Sequence, residues 1–475
     1  MRGEIYGEKT LLGMTKSMDS GLKDYKLKDF YVPHEYRRRH LLYFGTTGSG
    51  KTSLAENLME QDILAGRTVV FIDPKGAQDT AAKIIQIAGM CGRENDLMFL
   101  SAVFPEYSIK INPCSHWSLM EELIAHCVSG IKEGRDPFFR NKAMQVAGTI
   151  IMSLNEIARS GGEERAEFTL QMIKHYVSRE GLMDLREQLS VIVSKEAEDI
   201  VDDLDRISAS GQDHFSKVVD NLSIALGELT TGNIGKIVGN VHENKFIERL
   251  EQNRPVILVC QLGNMIVNDA AKTLGKLILS MIQSCVGRAF LSNQKKANPP
   301  ICLHIDEAQS VCPPTAIDLW SKGGSADLWI TAYAQSVNDF YESLGKDLTG
   351  SLLANSNTKG FLRVTDPETA DYVTRHFGTR KVLSPVISPG HITSREVEED
   401  VVRSQDIMNL RNREFYMLTY PEENTLTGRY RGRTSDTSPR WLTIKYPDIL
   451  STRQGKLTAD NASDPNATAK NALQP

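Results

Sequence analysis

Eight consecutive residues, Gly45-Thr46-Thr47-Gly48-Ser49-Gly50-Lys51-Thr52, carry the residue types and spacing of a phosphate-binding loop. Glycines at these positions let backbone N–H groups close around phosphate oxygens, Lys51 brings a point charge to the β and γ phosphates, and Thr52 offers a hydroxyl to Mg2+, with Ser53 completing the turn. The implied ligand is a nucleoside triphosphate. Farther along, the apolar run Ile301-Cys302-Leu303-His304-Ile305 ends in Asp306-Glu307. Downstream of a phosphate loop such a pair has a division of labour: Asp306 steadies the metal and its waters, and Glu307 orients and deprotonates the attacking water. The second acid points to hydrolysis coupled to motion rather than to a kinase.

Other polar residues follow apolar runs, where ligands gather in open α/β sheets. Gln335, after Ile330-Thr331-Ala332-Tyr333-Ala334, is placed to sense a γ-phosphate. Lys75, in Asp73-Pro74-Lys75-Gly76, would hold its segment near the nucleotide or contact a substrate. Lys322 and Arg363 are the basic residues expected to reach a neighbouring subunit's nucleotide as a finger in trans. For each of these the plainer alternative is a solvated side chain.

The elements that must position these groups can be read from periodicity. Leu41–Phe44 reads as a short buried strand, and Leu54, Ala55, Leu58, Met59 and Ile63 form the apolar stripe of a helix that Gly66 stops. Thr68–Ile72 is a second strand, Ile84, Ile85, Ala88 and Cys91 mark a second helix, and a short strand is expected near Leu97–Leu100. Such alternation predicts a parallel sheet covered by helices. From 118 to 250 the pattern becomes helical, with Met144, Ala147, Ile150, Ile151 and Leu154, then Val191, Ile192, Ile200, Val201 and Leu204, as expected of an inserted all-α domain. Strands resume at Pro255–Cys260, Ile301–Ile305, Leu328–Ala332, Thr358–Val364 and Glu414–Leu418. The expected organisation is an N-terminal segment (1–40), a first part of the nucleotide-binding domain (41–117), the insert (118–250), the second part (251–450) and a disordered tail (451–475). Residues 1–40 read as polar and irregular, and Arg37-Arg38-Arg39-His40 as a solvated corner or a nucleic-acid contact.

Composition sets the bounds. A chain of 475 residues with 40% hydrophobic and 24% charged content has the make-up of an ordinary globular enzyme. Its net charge of -5 argues against nucleic acid as a partner of the whole surface, though not of a local basic channel. Seven cysteines without a Cys-x-x-Cys pair are expected to be reduced, buried and cytoplasmic, with no structural metal. No signal peptide or membrane-spanning segment is expected; Leu274–Leu291, interrupted by Lys276, Gln283 and Arg288, reads as an amphipathic helix against a sheet.

Taken in order, the phosphate loop, Val70-Phe71-Ile72-Asp73-Pro74-Lys75-Gly76, Asp136-Pro137-Phe138-Phe139, Asp306-Glu307-Ala308-Gln309 and Thr331-Ala332-Tyr333-Ala334-Gln335-Ser336 resemble the type IV coupling proteins, the TraD/TraG-like ATPases of the HerA/FtsK superfamily. Ser321-Lys322-Gly323-Gly324, Asn355-Ser356-Asn357-Thr358-Lys359 and Asp366-Pro367-Glu368-Thr369-Ala370 extend the likeness over roughly 41–420. The resemblance implies a RecA-like P-loop domain with an all-α insert, using ATP and Mg2+ and assembled as a hexamer. It also implies the work: driving single-stranded, relaxase-bound DNA or effector proteins into a type IV secretion channel, from the cytoplasmic side of the inner membrane and through partners. The sequence departs from the family in lacking N-terminal membrane helices before the loop, in Ala77 after Gly76, and in Lys322 where an arginine is frequent. A HerA-like duplex translocase, a secretion-motor ATPase and a largely non-hydrolysing substrate receptor are the other readings.

Overall fold

The computed structural model describes residues 8–19, 26–131, 138–209, 212–292, 296–388, 391–419 and 428–446; Asp136-Pro137 and the tail expected at 451–475 lie outside them. Its centre is a parallel sheet of β3 (Leu41–Phe44), β4 (Thr68–Asp73), β5 (Leu97–Ser101), β6 (Ile257–Gln261), β7 (Ile301–Ile305), β8 (Leu328–Ala334) and β9 (Thr358–Phe361). In space these strands run β9-β3-β8-β7-β4-β6-β5. Residues of β3, β4, β6, β7 and β8 are buried on both faces, as parallel strands covered by helices must be.

Because successive side chains point to opposite faces, the sheet divides two cores between alternate residues. Leu41, Tyr43, Val69 and Phe71 face α1 (Lys51–Leu64) and α2 (Gln78–Met90), whereas Leu42, Phe44, Val70 and Ile72 face the other side. That second face is continuous with the helices lying between β5 and β6: α3 (Met120–Val128), α4 (Phe138–Ser160), α5 (Arg179–Ser190), α6 (Lys195–Ala209) and α7 (Gln212–Thr230). The fold is a RecA-like P-loop domain with an all-helical insertion. Within the insertion, Val191 and Ile192 do not continue a helix: α5 ends at Ser190, α6 starts at Lys195, and Val191 is exposed.

α8 (Asp269–Leu291) is long and apolar enough to cross a membrane by length and composition. Here its Leu274, Leu277, Ile278, Met281 and Ile282 are buried in the core shared with Leu303 and Ile330. All seven cysteines are unpaired and six are buried, and burial pushes the Cys127 thiol up to about 12.

Two expectations for the N-terminal segment are corrected. Residues 1–40 are not irregular throughout: β1 (Lys9–Ser17) and β2 (Lys28–Pro33) join the sheet through an antiparallel extension, β2-β1-β13-β12-β9, with β12 (Glu414–Thr419) and β13 (Gly428–Thr434). A separate hairpin, β10 (Thr379–Ser388) and β11 (His391–Asp400), also went unforeseen. Nor is Arg37 to His40 a solvated corner, since Arg37 and His40 are both buried. Arg37 donates to both Asp62 oxygens, at 2.5 and 2.9 Å, and to Thr10 of β1 at 3.1 Å. Arg67 donates to Asp62 at 2.7 Å, and His304 of β7 completes the set at 3.0 Å. Burial opposes the Asp62 charge, but Arg37, the His304 hydrogen bond and Arg67 outweigh it and hold the carboxyl well below the usual range. The carboxylate near the end of α1 thus ties β1, the start of β4 and β7 together. Removing Arg37 takes away the partner that engages both oxygens and leaves the buried carboxylate with Arg67 and His304. Arg37→Ala is therefore expected to lower unfolding stability by about 3–5 kcal/mol, read from urea denaturation; a loss below about 1 kcal/mol would show that Arg67 and His304 suffice.

Candidate nucleotide site

Four strands neighbouring one another, β3, β8, β7 and β4, point their C-terminal ends to the same edge. From those ends emerge, in that spatial order, the phosphate loop, Gln335, Asp306-Glu307 and the Asp73–Ala77 turn. Residues up to 290 positions apart in the chain, Gly45 and Gln335 being the outer pair, thereby share one edge.

The loop is held by its neighbours. The Gly45 N–H donates to the Ala334 carbonyl at 3.1 Å and the Thr46 N–H to the Arg363 carbonyl at 2.8 Å. Gly48 and Gly50 have φ of 74° and 106°, the left-handed region that glycine enters without strain. At Gly50 space is limiting too, because a Cβ would stand 2.9 Å from the Arg413 Cγ. The Arg413 N–H donates to the Ser49 carbonyl at 2.9 Å, so the turn before β12 braces the loop from outside. This brace was not anticipated from sequence, where Asn412 and Arg413 lack a motif of their own.

The arrangement suits a bound phosphate chain. α1 starts at Lys51 with no side chain capping its N-terminus, and its dipole favours an anion there. The Lys51 ammonium folds back to donate to the Gly45 carbonyl and, at 3.3 Å, to the Thr46 carbonyl. Burial pulls its pKa down, offset in part by Asp306. Ser49 Oγ is buried without a partner, while Thr47, Gly48 and Thr52 stay exposed. Lone donors and an ammonium resting on carbonyls fit a polyphosphate, and Thr52 with Asp306 supplies the oxygen donors that Mg2+ prefers.

On the acid side, the Asp306 N–H donates to the Ile72 carbonyl at 3.0 Å, and Asp306 in turn accepts the Glu307 N–H at 3.0 Å. Burial raises the Asp306 pKa, with Lys75 opposing. Glu307 sits at φ 43°, a left-handed conformation uncommon for a non-glycine residue. Its Oε1 accepts from the Lys75 ammonium at 2.8 Å and from the Gln335 amide at 3.3 Å. Lys75 is half-exposed; burial opposes its charge, but Glu307, then Asp306 and Asp73, hold the ammonium above its ordinary pKa.

The turn carrying Lys75 is shaped by Asp73, whose oxygens accept the Lys75 N–H at 2.9 Å and the Ala77 N–H at 2.5 Å. An Asp two residues before a glycine-containing turn is a legible signal for such a cap, although no role was assigned to Asp73 from sequence. Lys322 and Arg363 are separated. Arg363 lies beside its own chain's loop through its carbonyl, whereas Lys322 precedes β8, at the opposite end of the strands, and pairs with Asp318 at 2.8 Å.

Residues 300–412, from β7 to the turn that braces Gly50, match the family described as the TraM recognition site of TraD and TraG. The type 4 coupling protein DotL of Legionella pneumophila is 31% identical over 74 residues, 16% of this chain and 10% of DotL, so the match spans a tenth of that relative. Among solved structures, the bacterial conjugative coupling protein TrwBdeltaN70 superposes with a TM-score of 0.65 at 16% identity, covering 91% of this chain and 96% of that chain. TrwB in complex with a non-hydrolysable ATP analogue gives 0.61 at 16% identity over 91% and 98% of the two chains. TrwB with ADP and Mg2+ gives 0.60 at 17% identity over 86% and 88%.

Burial raises the Asp73 pKa from 3.8 to about 6, with the nearby Asp306 charge adding to it and the turn N–H groups opposing. A raised acid contributes stability that is complete below its unfolded value and is lost as pH climbs through the folded one. The stability of the wild type relative to Asp73→Asn, which cannot titrate, should therefore fall as pH rises from about 4 to about 6. Thermal melts across that range test it; a difference independent of pH would mean that Asp73 is ionised throughout.

Proposed function

We propose that this chain is a type IV coupling protein, an ATP-hydrolysing motor that delivers DNA or protein substrates to a secretion channel. The observation that carries the ATPase reading is the convergence of Lys51, Thr52, Asp306 and Glu307 at one sheet edge. Residues Gly45 to Ser53 would hold the phosphates of ATP, and Thr52 with Asp306 would hold Mg2+. The metal, when bound, neutralises charge on the phosphates and so lowers the barrier to attack at the γ-phosphorus.

The chain's own groups then have distinct tasks. Lys51 leaves the Gly45 and Thr46 carbonyls for the β and γ phosphates. Glu307 takes the proton of the attacking water, and Gln335, already donating to Glu307, orients that water and relays the presence of the γ-phosphate. A ring of six is the assembly in which a basic residue from one subunit can complete the site of the next. Lys322, far from its own loop, suits that role better than Arg363, which sits beside it.

DNA is the substrate the family resemblance favours, in single-stranded form bound through its backbone and by stacking rather than by base reading. The helical insertion would meet the substrate, and docking at the inner membrane would run through partner subunits. Turnover stimulated by single-stranded DNA more than by duplex would separate this reading from a duplex translocase. Turnover indifferent to either would favour protein cargo.

Lys51→Ala should abolish ATP binding, whereas Glu307→Gln should keep it and lose about 10²–10⁴-fold in turnover. Equilibrium nucleotide binding and phosphate release measured side by side provide the check. Normal phosphate release by the Glu307→Gln chain would remove Glu307 from the chemistry.

A further inference from the structure

After β13 the chain does not leave the domain. Residues 435–446 run as an extended strap across α2, without regular secondary structure. Along its path Ser438 donates its N–H to Glu60 at 3.1 Å and its hydroxyl accepts from the buried Lys83 ammonium at 2.6 Å. The buried Gln86 side chain serves three strap groups: it donates to the Pro439 carbonyl at 3.0 Å and accepts the N–H of Trp441 at 2.9 Å and of Leu442 at 3.0 Å. Arg440 pairs with Asp79. Apart from Glu60 at 3.8 Å from Lys83 and the Met90 sulfur at 4.0 Å from Gln86, these two buried polar residues of α2 are matched by this segment, which marks a built docking track rather than a chance contact.

The two ends of the strap reach the two sides of the nucleotide site. At its start, Arg413 donates to the Thr434 and Ser435 carbonyls at 3.1 and 2.7 Å, and the same residue's N–H holds the Ser49 carbonyl of the loop. At its far end, the Tyr446 ring stacks on Phe104 with centroids 4.9 Å apart and planes 7° from parallel. Its hydroxyl donates to the buried Gln261 side chain at the end of β6. Gln261 donates onward to the Ala77 carbonyl at 2.9 Å, and the Ala77 N–H donates to Asp73, which also caps Lys75. An unbroken series of hydrogen bonds therefore leads from Tyr446 to the turn whose lysine holds Glu307.

We propose that Lys75 is a positioning residue that restrains Glu307, and that the docked strap keeps it there by fixing the Asp73–Ala77 turn. The proposal rests on the ATPase reading and adds regulation to that site. Both contacts fall on Oε1, and the ion pair to Lys75 fixes the direction of the carboxylate, so turning it toward the attacking water requires Lys75 to withdraw. Lys75 is able to do so because its side chain is half-exposed, whereas Gln261 pins the far end of the turn at the Ala77 carbonyl, beside the Leu262 and Asn264 N–H groups that hold the Asp73 and Pro74 carbonyls. Undocking of the strap is then the event that unlocks the turn, and whatever grips residues 435–446 from outside would accelerate turnover.

The test uses the full chain, with ATP turnover and deuterium uptake at 73–77 as independent readouts. Lys75→Met should raise kcat about three- to ten-fold, the range set by the loss of one partly exposed ion pair, with KM for ATP unchanged. Lys75→Arg, which can still reach Glu307, should stay near the wild type. Tyr446→Phe, which keeps the stacking and removes only the hydroxyl, and Tyr446→Ala should raise both kcat and deuterium uptake at 73–77, the alanine more. In the Lys75→Met background neither should change kcat further. A lower kcat in Lys75→Met, or an additive gain from Tyr446→Ala in that background, would overturn the restraint. Unchanged uptake at 73–77 in both Tyr446 variants would overturn the link to the strap even without any nucleotide present. Failure of the ATPase reading looks different: no turnover in the wild type or in any variant.

Discussion

The rest of the structure depends on a parallel sheet buried on both faces. Such strands carry mostly apolar side chains along their length, with His304 matched by Asp62, and the candidate site groups stand at strand ends. In β3, β8, β7 and β4 the strands run the same way, and the ends that matter fall on one edge. Loop, glutamine, acid pair and lysine turn become neighbours for that reason alone. The Asp62 cluster makes the arrangement rigid, because its carboxylate fastens the far end of α1 to Arg37 and to His304 on β7. The phosphate loop begins the same helix, so its position relative to the acid pair is set from both ends.

Charge balance in the site follows from burial. Asp73 and Asp306 are taken out of water near one another, which raises both, while Lys51 is lowered by the same loss of solvent. Two lysines and three acids hold one another in check at the sheet edge. Binding a polyphosphate and a divalent cation would redistribute those pairings, drawing Lys51 off the loop carbonyls. Glu307 is engaged by two side chains of the protein, Lys75 and Gln335.

Local chemistry was largely legible in the sequence, because it is written in short windows: a glycine loop before an apolar helix, two acids after an apolar strand, a glutamine after another. The strands expected at Leu41, Thr68, Ile301 and Leu328 all form, since a fully buried strand must be a continuous apolar run. What escaped was information held by distant partners. Arg37 reads as a surface residue until Asp62 is beside it, and β1 reads as irregular until β13 offers it an edge. Val191 and Ile192 look like helix interior because their spacing is right, yet the chain breaks there and leaves Val191 exposed.

By itself, then, the sequence marked the residues whose types suit phosphate, metal and water, as that suitability belongs to side-chain chemistry and to spacing over a few positions. Only the tertiary structure decided their alignment. Strand order is set by which apolar faces pack together across hundreds of residues, and no local window records that β8 lies between β3 and β7. The same holds for the brace at Gly50, the lysine on Glu307 and the strap on α2: each joins segments whose attraction appears only once burial has removed water from between them.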